Sequence, residues 1–390
     1  MKIAVAYILS LLSAAPLLAQ NLPIRPEEAA VISDPSDLVA HCSTFAFRGR
    51  NDVYFAYYKD SEQPKEHSVH FSTFPVLAKA GRKDGKVQFR KEVIRAEQTI
   101  GDFTHGPRAP YDPNLLVLGN TLMVYFNGCV GTEVTFCARP YDLRKDAFED
   151  RIVVCKLRYR DSSGAEKTID LDAKGYYRFL EDSGINGEYH NDICISARFV
   201  PYRGEWYGVL AGVFTNSSKP VVVKTRDGIT FDAVMICRDF EWGACEGCLE
   251  IVDGEYYVAM RNAGCQREHQ GTYLAKYGPD GTCLAAPRKL GRCQSKPAII
   301  SFKKGLYVFY NDYPNLKTEW GNVTRSRLRV EQIDRDCRPM KSWEILSGVG
   351  IHYPYVNKHR GHLYISFTED RKKVDVRQCR SNVSFTEVKF

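Results

Sequence analysis

One strand pair recurs six times along this chain, and that repeat limits the available folds more than any other feature. Each copy is an apolar strand, a turn ending near Gly, and a second strand rich in Tyr and Phe. The first strand is read at His41–Phe47, Tyr111–Val117, His190–Ile195, Cys248–Val252, Lys296–Ile300 and Tyr353–Val356. The second is read at Val53–Tyr57, Leu122–Phe126, Trp206–Leu210, Tyr256–Met260, Leu306–Tyr310 and Leu363–Phe367. The last three second strands begin at Tyr256, Leu306 and Leu363, a spacing that suits four-stranded units with their loops. Asp84-Gly85, Asp227-Gly228 and Asp280-Gly281 lie between β-rich flanks and read as hairpin turns in which Gly supplies a positive φ. Helical periodicity is nearly absent. Small repeated sheets that hide their edges by radial packing describe an all-β, six-bladed β-propeller, with a long β-sandwich as the competing architecture. The stretch 129–185 is too long for a plain link and is expected to add strands or loops to the second blade.

Composition agrees with this. The 23 Tyr and 20 Phe stand against five Met, a strand-favouring inventory because aromatics pack well on a pleated surface. At 44% hydrophobic and 26% charged the chain is ordinary for a globular protein, which excludes wholesale disorder. Length alone suggests two or three domains, whereas the repeat spreads a single domain over residues 20–390. The net charge of +7 is mild and scattered, so no nucleic-acid partner is expected.

Residues 1–19 read as a cleaved signal peptide: Lys2 is basic, Ile3–Ala15 is apolar, and Pro16-Leu17-Leu18-Ala19 is a cleavage end. Ser10, Ser13 and Pro16 break that short run, so no membrane anchor is expected. The mature chain is therefore expected to be secreted or periplasmic. Export places the 13 cysteines in an oxidising setting that favours disulfides, and the odd count leaves at least one over. Cys245 and Cys248 form a lone C-x-x-C without a second pair at zinc-ribbon spacing, so a metal is not expected. Triplets at Asn216, Asn322 and Asn382 fit the N-glycosylation pattern.

In a propeller the inner strands line a central channel, and function sits at equivalent strand ends of several blades. Four residues stand out by this rule. Glu246 lies just before the first strand of blade four and Arg261 ends its second strand. Arg325 follows the second strand of blade five, and Tyr353 opens the first strand of blade six. Arginine clamps a carboxylate bidentately. A Tyr beside a carboxylate base becomes a nucleophile once Glu takes the phenolic proton. Such a group suits an anomeric carbon whose sugar is already anionic, where a carboxylate nucleophile would be repelled. Each residue alone reads more readily as a solvated or paired strand-end group.

Taken in order, these segments resemble the sialidase (neuraminidase) superfamily. Glu246 followed by Met260-Arg261-Asn262 is similar to that family's Glu and second-Arg pairing. Gln294-Ser295-Lys296-Pro297 resembles its next blade, Thr324–Leu328 the strand with its third Arg, and His352-Tyr353-Pro354 its nucleophile. Thr225–Phe231 resembles an Asp-box, a structural signature of the outer hairpin. The resemblance implies a secreted, monomeric glycoside hydrolase without a cofactor, acting on a glycan with a terminal acidic sugar. In it Tyr353 is the nucleophile, Glu246 its base, and Arg261 and Arg325 the carboxylate clamp. The first blade departs: His41-Cys42-Ser43 stands where the family opens with an Arg. His41 is accordingly placed in substrate binding, with packing as its plainer role. Asp60 and Glu66 are the nearest candidates for the acid/base. Tyr58, Tyr125, Tyr310 and Tyr355 read as a sugar-stacking floor or as packing between blades. Two other functions fit the same scaffold. One is a polysaccharide lyase acting on uronic acids, for which His41, His105 or His190 would be essential. The other is a non-catalytic carbohydrate-binding propeller.

Overall fold

A computed structural model describes residues 22–60, 62, 72–212, 218–241, 243–262, 267–292, 295–312, 317–318, 321–322, 325, 327–346, 350–375 and 378–390. The Tyr- and Phe-rich segments become the second strand of successive antiparallel sheets. Asp52–Asp60, for example, lies between Val39–Arg48 and Phe74–Gly81, with Val87–Glu92 outermost. A neighbouring sheet covers each face of such a strand. Its residues are therefore buried almost without alternation, as along Asp52–Asp60 and Glu255–Asn262, and large rings are favoured at every position. The glycines at 85, 228 and 281 all have positive φ at hairpin turns, as expected. The turn before Phe231 is tied by Asp227 Oδ1, which accepts from the N–H groups of Ile229 and Thr230 at 2.8 Å.

The sheets form a propeller arrangement closed by the start of the chain. Ala30–Val31 pairs with Gln378–Val388 as the outermost strand of the last sheet, Ala30 opposite Phe385. The first and last sheets meet through Phe45, Phe55, Tyr355 and Phe385. Ring centroids there lie 5.3 Å apart for Phe45–Tyr355, 5.2 Å for Phe45–Phe385 and 5.0 Å for Phe55–Phe385.

The expected six-bladed propeller is corrected to five blades of four or five strands, with one further, enlarged sheet, among the described residues. Four sheets have four strands, one has five, and the sheet holding Glu205–Gly212 has seven. The stretch 129–185 is shared between two sheets: Glu133–Asp142, Ala147–Phe148 and Val153–Val154 belong to the second, which thereby gains strands as expected, and the remainder extends the third. Lys156–Arg160 runs parallel to Thr230–Ile236, Glu166–Asp170 extends the edge, and the helix Ala173–Asp182 packs behind. The cysteines also depart from expectation. Cys129, Cys137, Cys155, Cys194, Cys237, Cys248, Cys283 and Cys337 carry free thiols, so Cys245 is not bridged to Cys248. Most are buried in different inter-sheet clusters, where a thiol serves as a small hydrophobe. Asn382 is buried, which removes it as a glycan acceptor in the folded chain; Asn216 lies outside the described residues.

Candidate active site

Four inner strands carry the same irregularity near their starts. The pairing register slips between His41 and Thr44, between Tyr111 and Asn114, between Cys245 and Gly247, and between His352 and Tyr355. Each slip holds one residue in the left-handed region: Cys42 (φ 52°), Asp112 (φ 45°), Glu246 (φ 40°) and Tyr353 (φ 55°). None is Gly, so each costs about 1–3 kcal/mol that the surrounding sheet must offset. The bulge takes the side chain out of the strand's alternation and re-aims it. Pro113 and Pro354 follow two of these residues, in positions where the ladder needs no N–H.

The re-aimed groups from the fourth and sixth sheets meet at Arg261, which ends the neighbouring strand Glu255–Asn262 opposite Cys245. Arg261 Nη1 donates to Glu246 Oε2 at 2.5 Å and to Tyr353 Oη at 3.1 Å. All three residues are at least nine-tenths buried, with exposures of 5% for Glu246, 6% for Arg261 and 2% for Tyr353. The Arg325 guanidinium stands 5.1 Å from the centroid of the Tyr353 ring. The backbone O of Arg325 accepts from the N–H of Ile351, at the head of the strand that carries Tyr353. The His41 ring lies edge-on to Tyr353 with centroids 4.3 Å apart. Behind it His352 Nε2 meets Asp370 Oδ1 at 3.1 Å. Lys296, almost wholly buried, donates to the backbone O of Ser196 at 3.0 Å and lies 5.9 Å from the Tyr353 ring centroid.

These surroundings set the protonation states. Burial, with the Glu246 charge adding to it, holds the Tyr353 phenol well above its ordinary value, so it is a neutral phenol at physiological pH. Burial alone would raise the Glu246 carboxyl too. The cations Arg261, Lys296 and Arg325 reverse this and keep it below the ordinary carboxylate value, hence ionised. Asp112 behaves oppositely: burial and then the Glu246 charge push it up to about 7, against the pull of Lys296. Asp192, which accepts a hydrogen bond from the Tyr111 hydroxyl, is pushed up to about 6, chiefly by burial.

The structure thus brings together Glu246, Arg261, Arg325, Tyr353 and His41. Asp60 ends the strand Asp52–Asp60, two residues beyond Tyr58. Its carboxylate accepts from Ser72 Oγ at 2.8 Å, Thr73 Oγ1 at 3.2 Å and the N–H of Glu62 at 2.8 Å, tying down the chain that follows its strand. Glu66 lies outside the described residues. Of the three histidines considered for a lyase, any one of which would be essential, His41 touches Tyr353, whereas His105 packs near Phe103 and Phe126. Tyr58, Tyr125, Tyr310 and Tyr355 are all buried, Tyr125 stacking on Phe136 at 5.1 Å, so they pack between sheets and make no exposed floor. Asp112 and Lys296 were not singled out from sequence. A signal for Asp112 existed: Tyr111-Asp112-Pro113 matches His352-Tyr353-Pro354 at the same point of the repeat.

No protein-family model matches the sequence, and no curated protein matches it. Solved structures do share its fold. Trypanosoma rangeli sialidase superposes with a TM-score of 0.59 at 10% identity, covering 93% of this chain and 58% of that one. A Hadza microbial sialidase gives 0.59 at 9% identity, covering 93% and 68% respectively. The NanB sialidase of Streptococcus pneumoniae gives 0.56 at 9% identity, covering 94% and 71%. The chain has a sialidase-like propeller fold, and it spans under three-fifths of the length of the trypanosomal enzyme.

Proposed function

We propose that this chain is an exported, monomeric glycoside hydrolase of sialidase type, which removes a terminal acidic sugar from a glycan. One observation carries the reading: a single Arg261 nitrogen binds both a buried, ionised Glu246 and the hydroxyl of a neutral Tyr353. That arrangement suits a phenol that becomes nucleophilic only as Glu246 removes its proton. Attack by the Tyr353 oxygen on the anomeric carbon gives a covalent glycosyl intermediate, which water then opens with net retention. Arg325 and Lys296 add positive charge around Tyr353, which favours a sugar bearing a carboxylate. Trypanosoma rangeli sialidase has been solved in complex with sialic acid, and the shared fold supports the same class of ligand here.

The test is a panel of sialosides and uronosides incubated with the purified chain and read by mass spectrometry. Release of a terminal acidic sugar is expected, with Tyr353→Phe slower by at least about 10³-fold. Undiminished Tyr353→Phe activity on every cleaved substrate would refute the mechanism. Unsaturated, ultraviolet-absorbing products would indicate the lyase instead, and binding without turnover a carbohydrate-binding propeller.

A further inference from the structure

Attack through Tyr353 expels the rest of the glycan as an alkoxide unless an acid stands beside the departing oxygen. On the first sheet the Asp60 carboxylate is engaged by Ser72, Thr73 and the backbone of Glu62, and Glu66 lies outside the described residues. The second sheet supplies another. Asp112 occupies the same bulged, left-handed position as Glu246 and Tyr353, so three sheets present their functional side chains from equivalent places. Unlike Glu246 and Tyr353 it is partly exposed, as a group meeting a leaving group and water must be. The Cys42 thiol, at the equivalent place on the first sheet, hydrogen-bonds to its carboxyl. The charged groups acting on it are Glu246 from the fourth sheet, Lys296 beside the fifth, and Asp192 at the head of the third. Asp192 is itself held by the Tyr111 hydroxyl and by Arg108 at 3.6 Å.

Resting on the Tyr353 reading, we propose that Asp112 is the acid/base of this site, a role its shared bulge geometry and its exposure beside Glu246 assign to it. In the first step the Asp112 proton moves to the glycosidic oxygen as the bond to the anomeric carbon breaks. Tyr353 oxygen bonds to that carbon and its own proton passes to Glu246. In the second step the Asp112 carboxylate takes a proton from water, whose oxygen displaces Tyr353, and the phenol recovers its proton from Glu246. A carboxyl titrating near 7 is protonated for the first step at mildly acid pH and readily ionised for the second.

Asp112→Asn is compared with wild type on two glycosides of one acidic sugar, one with an alkyl leaving group and one with a nitrophenyl group that leaves without a proton. The alkyl glycoside is expected to lose about 10²–10⁴-fold in kcat/KM, and the nitrophenyl one less than about tenfold. A glycosyl adduct on Tyr353 should then accumulate in the intact-protein mass spectrum. Added azide, which needs no general base, should restore turnover and release a glycosyl azide, a rescue that a misfolded variant cannot show. The basic limb of the wild-type pH profile should disappear. Equal losses on both substrates without azide rescue, or no loss on either, would overturn the assignment of Asp112. Tyr353→Phe run alongside separates the two ideas, because its inactivity on both glycosides leaves the nucleophile standing whatever Asp112→Asn does.

Discussion

Arg261→Met is the perturbation that most directly probes the buried pair. It removes the cation that binds Glu246 while keeping most of the side chain's volume, so the carboxylate stays buried without its partner. Breaking a buried ion pair on one side costs about 3–5 kcal/mol. Unfolding entropy of about 2.1 cal/mol/K per residue, over a chain of 390 residues, gives roughly 0.8 kcal/mol/K. The variant should therefore melt about 4–6 °C lower at pH 8. The pH dependence carries the sign. In the wild type the Glu246 carboxyl is depressed, so its contribution is present above the ordinary 4.5 and is lost as the pH falls through the lower folded value. Without Arg261, burial prevails, the carboxyl rises, and the group protonates at mildly acid pH. The deficit at pH 8 should thus shrink at pH 5. Thermal unfolding of wild type, Arg261→Met and Arg261→Met/Glu246→Gln at both pH values measures this, and the double variant should recover at least half the loss. A deficit identical at both pH values and unrelieved in the double variant would refute the reasoning, since the loss would then come from packing alone.

Two further outcomes follow from the same structure. Asp112 is raised from its ordinary 3.8 to about 7, so the stability it contributes is fully present below the ordinary value and is lost as the pH rises through 7. Asp112→Asn should become progressively more stable than wild type in urea unfolding between pH 4 and 8. The bound is about 4 kcal/mol at 1.4 kcal/mol per unit, reduced to about 1–2 by solvent exposure; an advantage that does not grow with pH would contradict it. Phe231 is fully buried against Tyr125, Phe136 and Phe199. Phe231→Ala should cost about 3–5 kcal/mol in denaturant unfolding while leaving kcat unchanged where the variant is folded.

The propeller was legible because both faces of each second strand are covered, which leaves runs of Tyr and Phe that no half-exposed strand would tolerate. The seven-stranded sheet was not, because Lys156–Arg160 pairs with a strand more than seventy residues later and leaves no local pattern. Glu246, Arg261 and Tyr353 could be read from their order on successive units, and the structure joins them through one guanidinium. Asp112 escaped because strand alternation says nothing of a residue that a bulge re-aims. Asp60 is a candidate as a near carboxylate after the opening of the first blade, and its carboxylate accepts from Ser72 and Thr73 just ahead of the next strand.

The pairing of Ala30–Val31 with Gln378–Val388 has a consequence for how the molecule is made. The segment that seals the ring leaves the ribosome ahead of the sheets it closes and finds its neighbour last, after every intervening sheet has been synthesised. A chain that stops short of Gln378–Val388 leaves Ala30–Val31 without this partner strand and the last sheet with an open edge able to recruit another chain, so prematurely terminated products are those most prone to aggregate. An extension fused ahead of Leu22 would emerge beside this outer seam, away from the inner strands that carry Glu246 and Tyr353.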